Sequence, residues 1–175
     1  MAFSMSNLNA SELQNVGAVL TSTKASDYTN SADIELQWAM KAMDHATVHY
    51  NLISSVDASR LRLTQMDDII YKHFRETFPD FDVRSIKEDD LKTPESKEKW
   101  RNFCESFKGH IEDYNLGTLL RLRCEDDYTP ETTTFSVRTQ FLAIEIARNK
   151  EGHNSILLEK KKAKQEVEAK EKESS

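Results

Sequence analysis

The chain has 175 residues, 31% of them charged, and its formal net charge is −6. This length fits one domain with a core of its own and is short for two. A negative chain offers no broad field to phosphate backbones, so neither nucleic acid nor an anionic membrane is expected as its main partner. The chain holds only 4 Gly and 3 Pro, which favours long helices over a many-turned sandwich or barrel.

Cysteine content and the N-terminal residues indicate an intracellular protein. Cys104 and Cys124 are too few for a disulfide framework and lack CxxC spacing, so we expect buried, reduced thiols. The first residues, MAFSMSNLNA, show no secretory signal, and no stretch approaches the roughly 18 apolar residues of a membrane span. The predicted compartment is the cytosol, with the nucleus as a further candidate.

Residues 1–30 are rich in Ser, Thr and Asn, and they are predicted to form a weakly ordered N-terminal segment. The first strong helix is predicted from about Ser31 to about Ile53, because apolar residues recur there with helical periodicity. Its apolar stripe contains two histidines and comprises Ile34, Trp38, Ala42, His45, His49 and Leu52, widened by Ala39, Met43, Ala46 and Tyr50.

Two more helices are predicted in the middle of the chain. Thr64, with Asp67 three residues later, forms a variant of the capping box, and Pro79 follows the end of that helix. A short helical turn is expected from Ser85 to Leu91. Thr93–Pro94 then places a cap residue before a proline, which is a strong start signal. One face of the helix that follows carries Trp100, Phe103, Cys104, Phe107 and Ile111.

The C-terminal third is predicted to combine a strand pair with a buried helix. Thr118–Cys124 alternates in part with a period of two, and Thr132–Val137 is largely β-branched, so a short two-stranded element is expected. The helix from about Val137 to Lys150, ending near Gly152, is apolar nearly all round. We therefore predict that it is the central buried helix.

The last segment, residues 155–175, consists mainly of mixed charges with few apolar side chains. Such a segment cannot bury enough surface to offset the entropy of ordering, so a frayed helix or a disordered charged tail is predicted. The expected fold class is mainly α: a compact multi-helix domain over residues 31–154, with a possible short β element.

Two pairs of residues could in principle bind a metal ion. His45 and His49 lie one helical turn apart, as in zinc helices, but Ala46 occupies the position at which the zincin motif has its Glu. Because both lie on the apolar stripe, hydrogen-bonded core histidines are favoured over a metal site or a functional switch. Asp67 and Asp68 are interpreted mainly as helix-start acids that interact with the helix dipole.

Glu112, Asp113, Tyr114 and Asn115 form an acidic segment near a helix end. Acids gain nothing from the helix dipole there, so a partner-binding surface is the hypothesis for these four residues.

Glu145 and Arg148 interrupt the apolar helix three residues apart. They are predicted to form a structural ion pair that extends to Arg121 or Arg123, because an unpaired buried charge costs several kcal/mol.

No motif of a known catalytic class is legible in the chain. It has no glycine-rich phosphate loop and no GxSxG elbow, and no Cys–His pair can be argued from the sequence. We therefore predict a protein that is not an enzyme and that needs no cofactor or metal.

Long blocks of the chain resemble a small eukaryotic family, the polysaccharide biosynthesis domain-containing proteins. The blocks are DIELQWAMKAMDHA (33–46), YNLISSVD (50–57), LRLTQMDDIIY (61–71), KEKWRNFC (97–104), EDYNLGTLLRLR (112–123) and QFLAIEIARNKEGHN (140–154). The resemblance implies a cytosolic chaperone that binds the newly made GTP-binding domain of translation elongation factor 1-alpha and releases it once it has folded around GTP.

The resemblance also keeps two other functions open. The family name allows an enzyme or accessory factor in polysaccharide biosynthesis, and the charged tail allows an interaction scaffold. For the chaperone we expect a monomer whose partners are nascent elongation factor 1-alpha and ribosome-associated factors.

Overall fold

The computed structural model describes residues 31–175 of the chain. Within that range the chain forms six α-helices and a two-stranded antiparallel sheet, which confirms the mainly α fold class. The elements are α1 (Ser31–Ser55), a 3-10 turn (Ala58–Arg60), α2 (Asp67–Thr77), α3 (Asp89–Lys92), α4 (Pro94–Glu105), β1 (Gly117–Arg121), β2 (Thr133–Val137), α5 (Arg138–Lys150) and α6 (Ser155–Glu173). The predicted N-terminal segment, residues 1–30, lies outside the described residues.

Helix α5 is the centre of the fold, as its all-round apolar sequence predicts. Ten of its 13 residues are buried, from Thr139 to Asn149. Helices α2 and α4 pack their aromatic faces beside it, and in that cluster the rings of Phe78 and Trp100 stack at 4.2 Å. Thr93 caps α4 by accepting a hydrogen bond from the Ser96 amide at 3.1 Å, as its position before Pro94 predicts.

The sheet supports α1 on a second, smaller core. The register pairs Gly117 with Val137 and Arg121 with Thr133. Trp38 packs near Leu119, and its indole Nε1 donates to the carbonyl of Gly117 at 3.0 Å. This hydrogen bond links α1 to the start of β1.

The buried face of α1 differs in part from the predicted stripe. Of the predicted stripe, Trp38, Ala42, Ala46 and His49 are buried, and Ile53 is buried as well. His45 and Leu52 instead lie on an exposed edge. The reason is geometric. A helix resting on a two-stranded sheet buries only a narrow face, so residues on one flank of a wide apolar stripe stay near solvent.

Asp67, the first residue of α2, holds the preceding chain segment in place through its side chain. Its buried carboxylate accepts hydrogen bonds from the amides of Leu63 (2.8 Å) and Thr64 (2.7 Å), while the Thr64 hydroxyl accepts from the Met66 amide. The helix therefore begins at Asp67 rather than just after Thr64. Asp68 is exposed and pairs with Lys150 instead, so the two acids do not share a site.

For the charged tail the structure shows the helical alternative and not the disordered one: residues 155–173 form α6. Leu157 is buried and anchors the start of the helix, whereas every residue from Glu159 onward is exposed. Glu, Lys and Ala are strong helix formers, and the i,i+4 pair of Lys164 and Glu168 adds a weak further stabilisation. Once its first turn has docked, the chain pays no second nucleation cost to extend the helix.

Both cysteines carry free thiols. Cys104 is buried and Cys124 is half-buried. Burial raises the pKa of Cys104 to about 12, which makes it an unreactive core residue. No helix among residues 31–175 has the length and apolar character needed to cross a membrane.

Candidate functional site

Four fully buried polar side chains form a cluster that we call the ionic centre: Arg121, Glu145, Arg148 and Asn154. Glu145 Oε1 accepts from Arg148 Nη1 at 2.7 Å and from Arg121 Nη2 at 3.0 Å. Glu145 Oε2 accepts from Asn154 Nδ2 at 3.0 Å. The carboxylate thus lies between two guanidinium groups, with an amide closing the third side.

The ionic centre has two guanidinium groups and one carboxylate, and ion pairs and hydrogen bonds stabilise it inside the protein. Burial alone would raise the pKa of Glu145, but the charges of Arg121 and Arg148 hold it well below its usual range. Backbone carbonyls accept from further guanidinium donors: Arg148 Nε donates to Val83 at 2.6 Å, and Arg121 Nη1 donates to Cys124 at 2.8 Å. The buried Nε of Arg121 makes no hydrogen bond among the described residues. A carboxylate with so many partners has little capacity left for a ligand.

The sequence left Arg121 and Arg123 open as partners of Glu145. The structure selects Arg121, which is completely buried at the end of β1. Arg123 lies two residues beyond the strand and pairs at the surface with Glu125 and Asp126.

A glycine turn delivers Asn154 to the ionic centre. Gly152 has φ +81°, the left-handed conformation that only glycine adopts at low cost. The amides of Gly152 and His153 donate to the carbonyls of Asn149 and Arg148, which is the Schellman pattern at the end of α5. The chain reverses there, and the prediction that this helix ends near Gly152 is confirmed.

The two histidines of α1 have different environments. His49 is buried; its Nδ1 lies 2.9 Å from the Tyr128 hydroxyl, and its Nε2 lies 3.8 Å from Glu145 Oε2. Burial lowers the pKa of His49 to about 4, against the opposing effect of Glu145, so the ring is neutral at pH 7. His45 lies one turn earlier on the exposed edge, where partial burial and the charge of Arg138 lower its pKa.

The histidines do not converge on a shared point. Their rings are parallel at 6.4 Å, and each meets the Phe141 ring edge-on. Across residues 31–175 no three His, Cys, Asp or Glu side chains are grouped so that they could hold a metal ion. The core interpretation therefore fits His49, whereas His45 is an edge residue.

An open groove of about 510 Å³ runs along that exposed edge of α1. We call it the α1 groove. Val48 and Leu52 form its α1 side, Phe141 and Leu142 of α5 form its floor, and Leu63 closes one part of the far side. A smaller cavity of about 190 Å³ lies on the other side of α1.

Three charged residues line the α1 groove: Lys41, Asp113 and Arg138. Within the described part of the chain, neither Lys41 nor Arg138 has an ion-pair partner. The Nε atom of Arg138 is buried and makes no hydrogen bond within the same range. A half-buried guanidinium without an acceptor is unusual, because burial removes the water that would otherwise satisfy it.

The segment of Glu112, Asp113, Tyr114 and Asn115 forms a turn at the rim of the α1 groove. Asp113 has φ +52°, and its carbonyl accepts from the Leu116 amide at 2.9 Å. Glu112, Asp113 and Asn115 are exposed, whereas Tyr114 is half-buried and its carbonyl accepts from the Thr139 hydroxyl at 2.6 Å. The turn is thus anchored through its backbone and presents its acids outward; partner binding by these residues stays a prediction.

The sequence did not identify the groove residues Val48 and Arg138. Val48 is an apolar residue off the main stripe of α1, and it is 67% exposed. An apolar residue off the main stripe of the helix was the one signal in the sequence that pointed to this surface. Arg138 looks like an ordinary residue at a strand–helix junction, and only the fold places it beside α1.

Comparisons with known proteins give one consistent family. A family model described as PBDC1 protein matches residues 34–159. The mouse protein PBDC1 is 55% identical over 130 residues, which are 74% of this chain and 66% of that relative. The human protein PBDC1 is 52% identical over 83% of this chain and 62% of its own length. The chain thus spans less than two thirds of the length of these two relatives.

Fungal relatives are covered more completely. The Saccharomyces cerevisiae PBDC1 homolog is 48% identical over 75% of this chain and 93% of its own length. A solution NMR structure of a Saccharomyces cerevisiae protein aligns with a TM-score of 0.69 and 46% identity, covering 79% of this chain and 97% of that one. The described domain is therefore similar to a solved fold across nearly the whole of that relative.

Proposed function

Because the chain belongs to the PBDC1 protein family, we propose that it is a non-enzymatic protein-binding module, a co-translational chaperone for the GTP-binding domain of elongation factor 1-alpha. The observation that carries the binding role is the α1 groove, an open surface with an exposed apolar side and unpaired cations. The client follows from the family resemblance of the sequence blocks.

The groove suits a partner that is incompletely folded. A soluble domain rarely leaves apolar side chains such as Val48 and Leu52 along an open groove unless something covers them. A GTPase domain that has not yet closed around its nucleotide exposes apolar segments of its own. Burying the two surfaces together is favourable until the client completes its fold.

In this scheme the chaperone releases its client without hydrolysing ATP. A chaperone that binds the unfinished client more tightly than the GTP-filled client loses its partner when folding is complete, because the ligand shifts the equilibrium by its differential affinity. The protein then needs only a surface, and the rigid core around α5 holds that surface in place.

The test is capture of newly synthesised elongation factor 1-alpha from a translation extract, compared with capture of the mature GTP-bound form at equal concentration. We expect strong capture of the new chain and weak capture of the mature one. Equal capture of both forms would contradict release by differential affinity.

Affinity purification from growing cells, including the ribosome-associated material, extends this test. Elongation factor 1-alpha and ribosomes are the expected partners. If glycosyltransferases dominate the purified material instead, the accessory role in polysaccharide biosynthesis replaces the chaperone.

A further inference from the structure

We infer that the α1 groove receives an apolar segment of the client that carries a carboxylate, with its apolar side chains on Phe141 and Leu142 and its carboxylate beside Arg138 and Lys41. This inference rests on the proposed function for the identity of the client. It adds the location of the binding site and the chemistry of the bound segment.

The shape of the α1 groove suits apolar side chains of a bound segment. His45, Val48 and Leu52 are spaced by three and four residues, so they line one edge of α1 over two helical turns. Phe141 and Leu142 supply a rigid floor, since both belong to the buried helix α5. Recognition of a helix or an extended peptide in an apolar groove uses this arrangement of anchors.

The charged half rests on Arg138 and Lys41. The chain as a whole is acidic, with a net charge of −6, yet the groove carries two unpaired cations and a single acid among the described residues, Asp113. The Nε of Arg138 is already shielded from solvent. A carboxylate placed there would form a charge-assisted hydrogen bond with a donor that now has none.

The ionic centre provides an internal comparison for this chemistry. Arg148, on the same helix, has its Nε on the Val83 carbonyl and its Nη1 on a carboxylate. Arg138 has the same donors and neither kind of acceptor within residues 31–175. A carboxylate bound in the α1 groove would therefore accept hydrogen bonds from Arg138, as Glu145 accepts them from Arg148 in the core.

The first arm of the test places a charge on the apolar edge. Val48→Glu is compared with Leu36→Glu, a residue on the opposite edge of α1 that is 58% exposed and does not line the groove. Binding of the nucleotide-free GTP-binding domain of elongation factor 1-alpha to the full chain is measured by calorimetry. We expect Val48→Glu to weaken binding about tenfold or more, as for a buried interface residue, and Leu36→Glu to have little effect.

The second arm tests the sign of the charge. Lys41→Glu combined with Arg138→Gln should weaken binding and flatten its dependence on salt concentration, whereas Lys162→Glu on the exposed part of α6 should do neither. Tighter binding by the double variant would mean that the bound segment is basic and would overturn the inference. Melting temperatures of all variants are measured alongside, so that a folding defect is recognised.

Three results separate the inference from the function beneath it. If Val48→Glu binds the client as tightly as the wild type does, the groove is not the binding site, and the proposed chaperone function is unaffected. No binding by the wild type would overturn both. A wild-type chain that sediments as a dimer, with Val48→Glu a monomer, would assign the groove to a second copy of the chain and would overturn the client segment.

Discussion

Arg138 and Arg148 occupy opposite ends of α5, and their surroundings differ in one respect that separates two regions of the molecule. In the ionic centre Arg148 donates to Glu145 and to backbone carbonyls, and it is completely buried. In the α1 groove Arg138 is half-buried, and its Nε has no acceptor among residues 31–175. Cations that are paired with a buried carboxylate hold elements together, whereas a cation without an anion beside an apolar surface is available to a partner.

This difference implies that the two regions respond oppositely to substitution. Changes in the ionic centre should reduce the free energy of unfolding, because buried charges would lose their partners. Changes in the α1 groove should leave stability almost intact and alter affinity, since Val48 and Lys41 are exposed.

The largest effect is expected for Glu145→Gln, which would leave Arg121 and Arg148 side by side without their shared anion. Breaking a buried ionic cluster in this way costs about 3–5 kcal/mol. Urea unfolding at pH 7 should show that loss, with a melting temperature lower by on the order of 10 °C.

Glu166→Gln on the exposed part of α6 is the control and should change neither value. A Glu145→Gln variant as stable as the wild type would show that the ionic centre does not hold the fold.

A smaller effect is expected from acid acting on His49. Its pKa is lowered to about 4 in the folded protein, whereas an unfolded histidine titrates near pH 6.5. Below about pH 6.5 this histidine is protonated in the unfolded chain but not in the folded chain. The free energy of unfolding therefore falls as the pH decreases towards 4. Between pH 7 and pH 5 the loss from this one group should be roughly 2 kcal/mol.

The comparison variant is His49→Gln, measured by urea unfolding at the same two pH values. It should lose less stability than the wild type over this interval, because its position no longer titrates. Glu145 does not interfere, since its pKa lies below the usual carboxyl range and its protonation belongs to still lower pH. Identical losses in both proteins would assign the acid sensitivity to other groups.

Charge removal at the groove rim should act on association rather than on stability. Glu112→Lys combined with Asp113→Asn is preferred to two lysines, because Asp113 has φ +52° and asparagine tolerates that backbone better than lysine. These two acids are predicted to attract a basic surface of the client outside the segment that binds in the groove. The double variant should therefore bind the client with a slower association rate and nearly unchanged melting temperature. Unchanged association in stopped-flow measurements would move the contact away from this turn.

The smallest effect is expected for removal of residues 165–175. All of them are exposed, and Val167, the large apolar residue among them, is 55% exposed. The contacts of Lys160 and Lys161 with the domain are retained in this truncation. The melting temperature should fall by less than about 2–4 °C, the equivalent of 1 kcal/mol for a chain of this size. A larger fall would mean that the exposed end of α6 packs on the domain.

Much of the fold follows from local sequence patterns. Helical spacing located α1, α2, α4 and α5, and β-branched residues located the strand pair. The cap at Thr93 and the stop at Gly152 are local signals of the same kind. Glu145 and Arg148 drew notice because charges interrupt an apolar helix.

The remaining features depend on contacts that are distant in sequence. Whether His45 or Ala46 faces the core depends on where the sheet meets α1, and neither residue encodes that. The groove exists because Phe141, Leu63 and Val48 come from three separate segments. The sequence left the tail open between a helix and a disordered segment, because its order depends on the docking of its first turn at Leu157.

The most direct measurement is photocrosslinking of newly synthesised elongation factor 1-alpha to the full chain, with the crosslinking residue placed either at Val48 or at Leu36. Both positions are exposed on α1, at opposite edges of the same helix. Binding in the α1 groove predicts a crosslink to the GTP-binding domain from Val48, a much weaker one from Leu36, and loss of both once the client has folded around GTP. Equal crosslinking from the two positions, or crosslinking that persists on the mature GTP-bound factor, would contradict it.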